Sequence, residues 1–122
     1  MATIEEAERI ASSLPGAQKD EKSFLYRVSG RNFLWVYLER VHPRKRRVPN
    51  PEVLGLRVSG DDAKQDMLAA EPAKFFTTGH YDGYPAVLLR LAEVDAEELE
   101  ELIVSAWECV AGPRLIASYR GR

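Results

Sequence analysis

Cysteine is nearly absent from this sequence: Cys109 stands alone, so no internal disulfide can form, and its place in a helical pattern agrees with a reducing compartment. No apolar run approaches the roughly 18 residues that a membrane span needs. No low-complexity stretch suggests extended disorder. The first residues, MATIEEAERIASSLPG, are acidic and amphipathic, whereas a signal peptide is basic and then continuously apolar. These absences leave a cytoplasmic protein with no membrane contact as the expectation. What is present fits one domain over residues 1–122. Of these, 45% are apolar and 30% charged, and the length suffices for a hydrophobic core without disulfide or metal staples.

Charge is unevenly spread. The net charge is −2, yet residues 1–60 carry eleven Lys/Arg against seven Asp/Glu, and residues 61–122 carry six against twelve. The excess is sharpest at Arg40, Arg44, Lys45, Arg46 and Arg47, five cations within eight residues and no acid among them. A local patch of this kind can bind a polyanion that the whole-chain charge would argue against.

Along the chain, Thr3 and Glu6 form a capping box, and Ala7, Ile10, Ala11 and Leu14 make the apolar stripe of a helix from about Ile4 to Leu14, ended by Pro15-Gly16. Phe24 to Val28 and Phe33 to Leu38 alternate with period two, and Ser29-Gly30-Arg31-Asn32 between them predicts a tight hairpin turn. In the second strand Phe33, Trp35 and Tyr37 share one face and Leu34, Val36 and Leu38 the other. Being apolar on both sides, it should be central, with helices on one face and another covering, such as a second copy of the chain in a homodimer, on the other. RVHPRKRRVPNP follows. Its three prolines argue against regular strand, and its cations against burial, so it is expected as an exposed loop or long hairpin tip. Val53 to Val58 makes a third strand, with Leu54, Leu56 and Val58 on one side.

Asp61 and Asp62 read as caps of a short helix through Met67 to Ala69, stopped by Glu71-Pro72. In FFTTGHYDGYPAVLLRL, Phe75 and Phe76 are expected in the core, Thr77 to Pro85 in a loop, and Ala86 to Leu91 in a strand with Val87, Leu89 and Leu91 inward. Asp95 and Glu98 then cap the strongest helix, whose stripe runs Leu99, Leu102, Ile103, Ala106, Trp107, Val110. Residues 114–122 form a short basic tail with no predicted structure. The order α-β-β-β-α-β-α with short turns predicts an α+β domain, an antiparallel sheet with helices packed on one face.

With these residues placed, the chain resembles the MmcQ/YjbR family over nearly its whole length. The resemblance rests on Leu14-Pro15-Gly16, the Val28 to Phe33 hairpin, Phe75-Phe76-Thr77-Thr78, His80-Tyr81, Gly83-Tyr84-Pro85, Val87 to Leu91, Glu98-Leu99 and Trp107. Gly79 departs from the proline of many relatives, and the basic loop is longer and more charged than is usual. The resemblance implies a frataxin-like α+β fold, described as a double-wing DNA-binding architecture, and hence DNA as the expected partner of a non-enzymatic protein.

Two groups of residues compete as the site. The loop cations Arg40, Arg44, Lys45, Arg46 and Arg47, helped by Arg31 and the basic tail, could neutralise phosphates; the plain alternative is a solvated loop that keeps a sheet edge soluble. His80, Tyr81, Asp82 and Tyr84 could line a ligand- or protein-binding site. They have no nucleophile at a recognisable spacing and too few ligands for a metal, so His80 and Tyr84 could equally brace the loop by hydrogen bonds to its backbone. His42 reads as solvated or phosphate-contacting and Cys109 as a small packed residue. Acids on α-helical faces at the N-terminus and at Asp95 to Glu101 would serve the iron chemistry that a frataxin-like fold suggests, but such carboxylates are commonplace on solvated faces. No metal, cofactor or catalytic residue is therefore expected.

Overall fold

Thr3 does cap the first helix. In the computed structural model, which describes residues 1–121, Thr3 Oγ1 accepts from the Glu6 amide at 3.2 Å and Glu6 Oε1 from the Thr3 amide at 2.9 Å. They open α1 (Ile4–Ser12), whose Ala7, Ile10 and Ala11 are buried. The chain continues through β1 (Gln18–Lys19), β2 (Leu25–Val28), β3 (Arg31–Glu39), β4 (Val48–Arg57), α2 (Asp61–Ala70), β5 (Phe75–Phe76), β6 (Ala86–Arg90), α3 (Ala96–Glu108) and α4 (Pro113–Arg120). The strands form one antiparallel sheet in the order β1-β2-β3-β4-β6-β5. The α+β architecture expected from the sequence is the one observed, with β3 and β4 central. Among the described residues no helix is long and apolar enough to cross a membrane.

The main core lies between the sheet and the helices. Leu34, Leu54, Leu56, Val87 and Leu89 meet Leu99, Ile103, Ala106 and Trp107, all essentially without exposed surface. Each such large aliphatic side chain contributes about 1.5–3 kcal/mol by leaving water. The predicted stripe of α3 is the buried one, and Asp95 caps it by accepting from the Glu98 amide at 2.8 Å. At the β2–β3 turn Ser29 and Gly30 have φ of 50° and 80°, the paired positive angles of a two-residue hairpin connection.

The structure corrects several expectations. Phe33 does not share a face with Trp35 and Tyr37. The register steps from Tyr26↔Leu34 to Arg27↔Asn32, so Phe33 is the extra residue of a bulge and joins Leu34 in the main core beside Tyr26. Prolines 49 and 51 do lie in a strand. Residues 48–50 pair with β3 alone, because β6 pairs only with 53–57, and three residues bulge between Asn50↔Tyr37 and Leu54↔Val36. A missing amide is tolerated where a second neighbour is absent. Asp61 and Asp62 are not caps: Gly60 holds that position without a side-chain bond, and the two acids sit in the first turn, where the helix dipole favours them.

Phe76, expected in the main core, is half-buried with Tyr37 and Val53 on the opposite face. The tail, expected without structure, is α4 through Arg120, with Leu115, Ile116 and Tyr119 packed on the core and Tyr119 against Trp107 at 5.4 Å. Arg122 lies outside the described residues. The second face of the sheet is covered in part by the chain's own Phe76–Tyr84 segment, where the sequence suggested a partner subunit.

Candidate functional site

The five loop cations stand on the tip of the β3–β4 hairpin. Glu39↔Val48 is the last strand pair, so Arg40 to Arg47 form the connection beyond it. Two small contacts organise its backbone: the Lys45 amide donates to the His42 carbonyl at 3.1 Å, and the Arg44 amide to His42 Nδ1 at 3.2 Å. His42 thus serves the turn itself. Arg40 curls back onto the Pro43 and Lys45 carbonyls, both at 3.2 Å, and Arg47 donates to the Leu38 carbonyl at 3.2 Å. None of the five forms an ion pair among the described residues, and Arg44, Lys45 and Arg46 are exposed. Backbone carbonyls leave the charges of Arg40 and Arg47 uncancelled, so the tip keeps its full positive charge.

Arg31 is not brought to this tip. It begins β3 and the loop follows its end, eight residues along at about 3.3 Å each, or about 26 Å away. The tail is also remote. Its Leu115 packs close over Gly16 at the far end of the sheet, near Val28, and Arg120 is paired with Glu108 at 2.7 Å.

The second group assembles on the outer face. The Trp35 indole N–H donates to the Tyr81 hydroxyl at 3.1 Å, and the two rings stack at 6.3 Å and 21°. Tyr84 lies edge-on to Trp35, with the Arg57 guanidinium 5.7 Å from its ring centre. Tyr37 touches both Phe76 and Tyr81, and Arg90 covers Phe76 at 4.1 Å. His80 packs edge-on against Tyr81 at 5.1 Å. His80, Tyr81 and Tyr84, together with Trp35, line a groove of about 720 Å³; Asp82 lies outside it. The expected bracing of this loop by the His80 and Tyr84 side chains is not what holds it. Lys64 of α2, only 3% exposed, donates to the Tyr81 carbonyl at 2.7 Å and the Tyr84 carbonyl at 3.0 Å.

Lys64 has no carboxylate partner in these bonds, so opposing effects decide what its loss does. Lys64→Met keeps the apolar stem and removes the cost of burying a charge, but leaves two carbonyls without donors. The expected net loss is about 1–2 kcal/mol of stability, with most of the change local. Amide exchange at Tyr81, Asp82 and Tyr84 should speed up more than exchange in α3. Uniform acceleration everywhere would contradict this local role.

Burial raises the pKa of Tyr81, an effect that the Trp35 hydrogen bond and the charge of Arg47 only partly oppose. The unfolded phenol titrates near pH 10. The stability linked to Tyr81 is therefore fully present below about pH 10 and is lost as pH rises through the higher folded value. Tyr81→Phe should therefore remove a late-ionising phenol from an alkaline absorbance titration. Burial likewise raises the pKa of Cys109, whose thiol donates to the Ser105 carbonyl at 3.3 Å; it is a packed side chain with little thiolate character. Among the described residues no three His, Cys, Asp or Glu side chains converge on a point that could hold a metal ion.

Sequence reasoning missed Lys64, Arg57 and Gly55. A lysine among the acids of α2 gives no sign of burial. Gly55, however, interrupts the apolar run Leu54 to Val58, and a strand glycine often marks a close approach. Here the Trp35 ring lies directly over it: a Cβ at Gly55 would stand 2.1 Å from the indole nitrogen.

Comparison with known proteins places this geometry in context. The family model YjbR matches residues 12–109. Uncharacterized proteins of Mycobacterium tuberculosis and Mycobacterium bovis are 36% identical over 125 residues, spanning 98% of this chain and 96% of their own lengths. The crystal structure of a Deinococcus radiodurans protein with a DUF419 domain matches all of this chain and 83% of its own, with a TM-score of 0.59 at 18% identity. At that identity the likeness is one of fold.

Proposed function

The chain belongs to the YjbR family, and from that premise we propose that it is a non-enzymatic DNA-binding protein that grips phosphates with the Arg40–Arg47 hairpin. One observation carries the reading: five cations stand on a hairpin tip, and none is neutralised by an ion pair among the described residues. Cations held this way gain little from the protein and much from a polyanion, because each phosphate contact releases a condensed counterion. Contacts of this type fix position on the nucleic acid without reading its bases. Arg31 and α4 lie at the opposite end of the sheet, so the hairpin acts without them.

The test is a binding titration of labelled DNA, as a single strand and as a duplex, with the wild-type chain and with a variant carrying Arg44→Gln, Lys45→Gln, Arg46→Gln and Arg47→Gln. Binding by the wild type and its loss in the variant support the reading. Equally negligible binding by both sinks it.

A further inference from the structure

The groove on the outer face has an aromatic lining, an open mouth and no role in the phosphate grip. Trp35, Tyr81 and Tyr84 line it on the outer face, Phe24, Val36 and Ile4 close it on the helix side at the start of β2, and Leu38 and Pro49 stand at one end. At about 720 Å³ it falls within the range of roughly 300–1,000 Å³ usual for small organic ligand sites. Leu38 is 49% exposed and Tyr84 38%, high values for such apolar groups. Polar atoms enter at few points, among them Asn32 and His80.

The groove is continuous with the basic hairpin. Leu38↔Pro49 is the strand pair next to Glu39↔Val48, where the cationic loop begins. Arg47 joins the two regions. Its guanidinium is bonded to the Leu38 carbonyl at the groove's end, and its charge reaches the Tyr81 phenol. A chain of phosphates lying on the loop therefore passes the mouth of an aromatic groove.

We infer that this groove receives an unstacked nucleobase, so that the preferred partner is single-stranded nucleic acid. The inference rests on the phosphate-binding reading of the hairpin and adds what lies between the phosphates. In a duplex each base face is covered by its neighbours, whereas single-stranded bases can turn out and stack on aromatic side chains. Stacking of this kind tolerates any base, since each has a π face. Charge complementarity decides against a hydrophobic peptide as occupant, because the groove opens beside unneutralised cations.

The wild-type chain and three probes test this: an oligothymidylate of about twelve nucleotides, an abasic strand of the same length, and the corresponding duplex. The abasic strand offers the same phosphates and no bases. Oligothymidylate is expected to bind about ten-fold more tightly than the abasic strand, the effect of roughly one stacked base. It should also quench tryptophan emission. Trp107 is fully buried in the helical core, so the quenching belongs to Trp35 and should vanish in Trp35→Phe. Equal binding of the oligothymidylate and abasic strands, duplex binding as tight as single-strand binding, or quenching that survives Trp35→Phe each overturns the inference while leaving the hairpin reading intact. No binding of any probe overturns both. The comparison of strands needs no variant, so a misfolded Trp35→Phe protein would not rescue the idea.

Discussion

Raising salt from about 50 to 200 mM should weaken duplex DNA binding roughly 500-fold, the consequence of five phosphate contacts at a slope of about −0.9 each in log K against log salt. The slope follows from counting charges, since each of the five hairpin cations lacks an ion-pair partner among the described residues and can exchange counterions for phosphates. Replacing Arg44, Lys45 or Arg46 singly by Gln should make the slope shallower by about 0.9, because their head groups are exposed. Arg40→Gln and Arg47→Gln should do the same and also loosen the turn, since those guanidinium groups bond loop and strand carbonyls. Arg31→Gln, about 26 Å away along β3, should leave the slope unchanged. A wild-type slope near zero would show that the hairpin is a solubilising tip and nothing more.

Gly55→Ala should cost about 3 kcal/mol: overpacking a filled site typically costs about 1–3 kcal/mol, and the displaced Trp35 also loses its hydrogen bond to Tyr81, worth about 1 kcal/mol. The new Cβ would meet the indole at 2.1, 2.2 and 2.8 Å. The ring cannot simply lift, because Tyr81 stacks against it and holds its N–H, while Lys64 holds the Tyr81 backbone. Urea unfolding reads the loss directly. If the clash is the cause, adding Trp35→Ala should make the pair of substitutions far less costly than their sum, since residues in contact couple. A Gly55→Ala protein within about 0.5 kcal/mol of wild type would mean that the aromatic face is loosely packed.

What could be read from the sequence is what local chemistry dictates. The Thr3/Glu6 capping box, the Asp95 cap, the stripe from Leu99 to Trp107 and the Ser29-Gly30 turn each depend on residues within a few positions of one another, and all are present in the fold. The cationic hairpin tip was legible for the same reason. The rest depends on partners distant in sequence. Gln18 and Lys19 become a strand only because Arg27 and Tyr26 pair with them. Phe33 changes face because β2 and β3 slip by one residue, which alternation alone cannot reveal. α4 is short and finds its stability on Trp107 and the core. The groove escaped notice because Trp35, Tyr81 and Tyr84 meet through folding, whereas His80, Tyr81 and Asp82 drew attention merely by being adjacent.

The Trp107 indole donates to the Pro15 carbonyl at 2.9 Å across 92 residues of chain, and α1 packs against α3. Most sheet contacts, by contrast, join strands that follow one another. Bringing two distant segments together costs closure entropy that grows with the length of free chain between them. Pairing β2 with β3 and β3 with β4 shortens that free length before α1 and α3 meet, so the strand meander lowers the entropic barrier to closing the helical layer. A chain cut before Ala96 could still pair these strands, but the apolar stripe of α1 would lose its α3 partner and keep only the sheet.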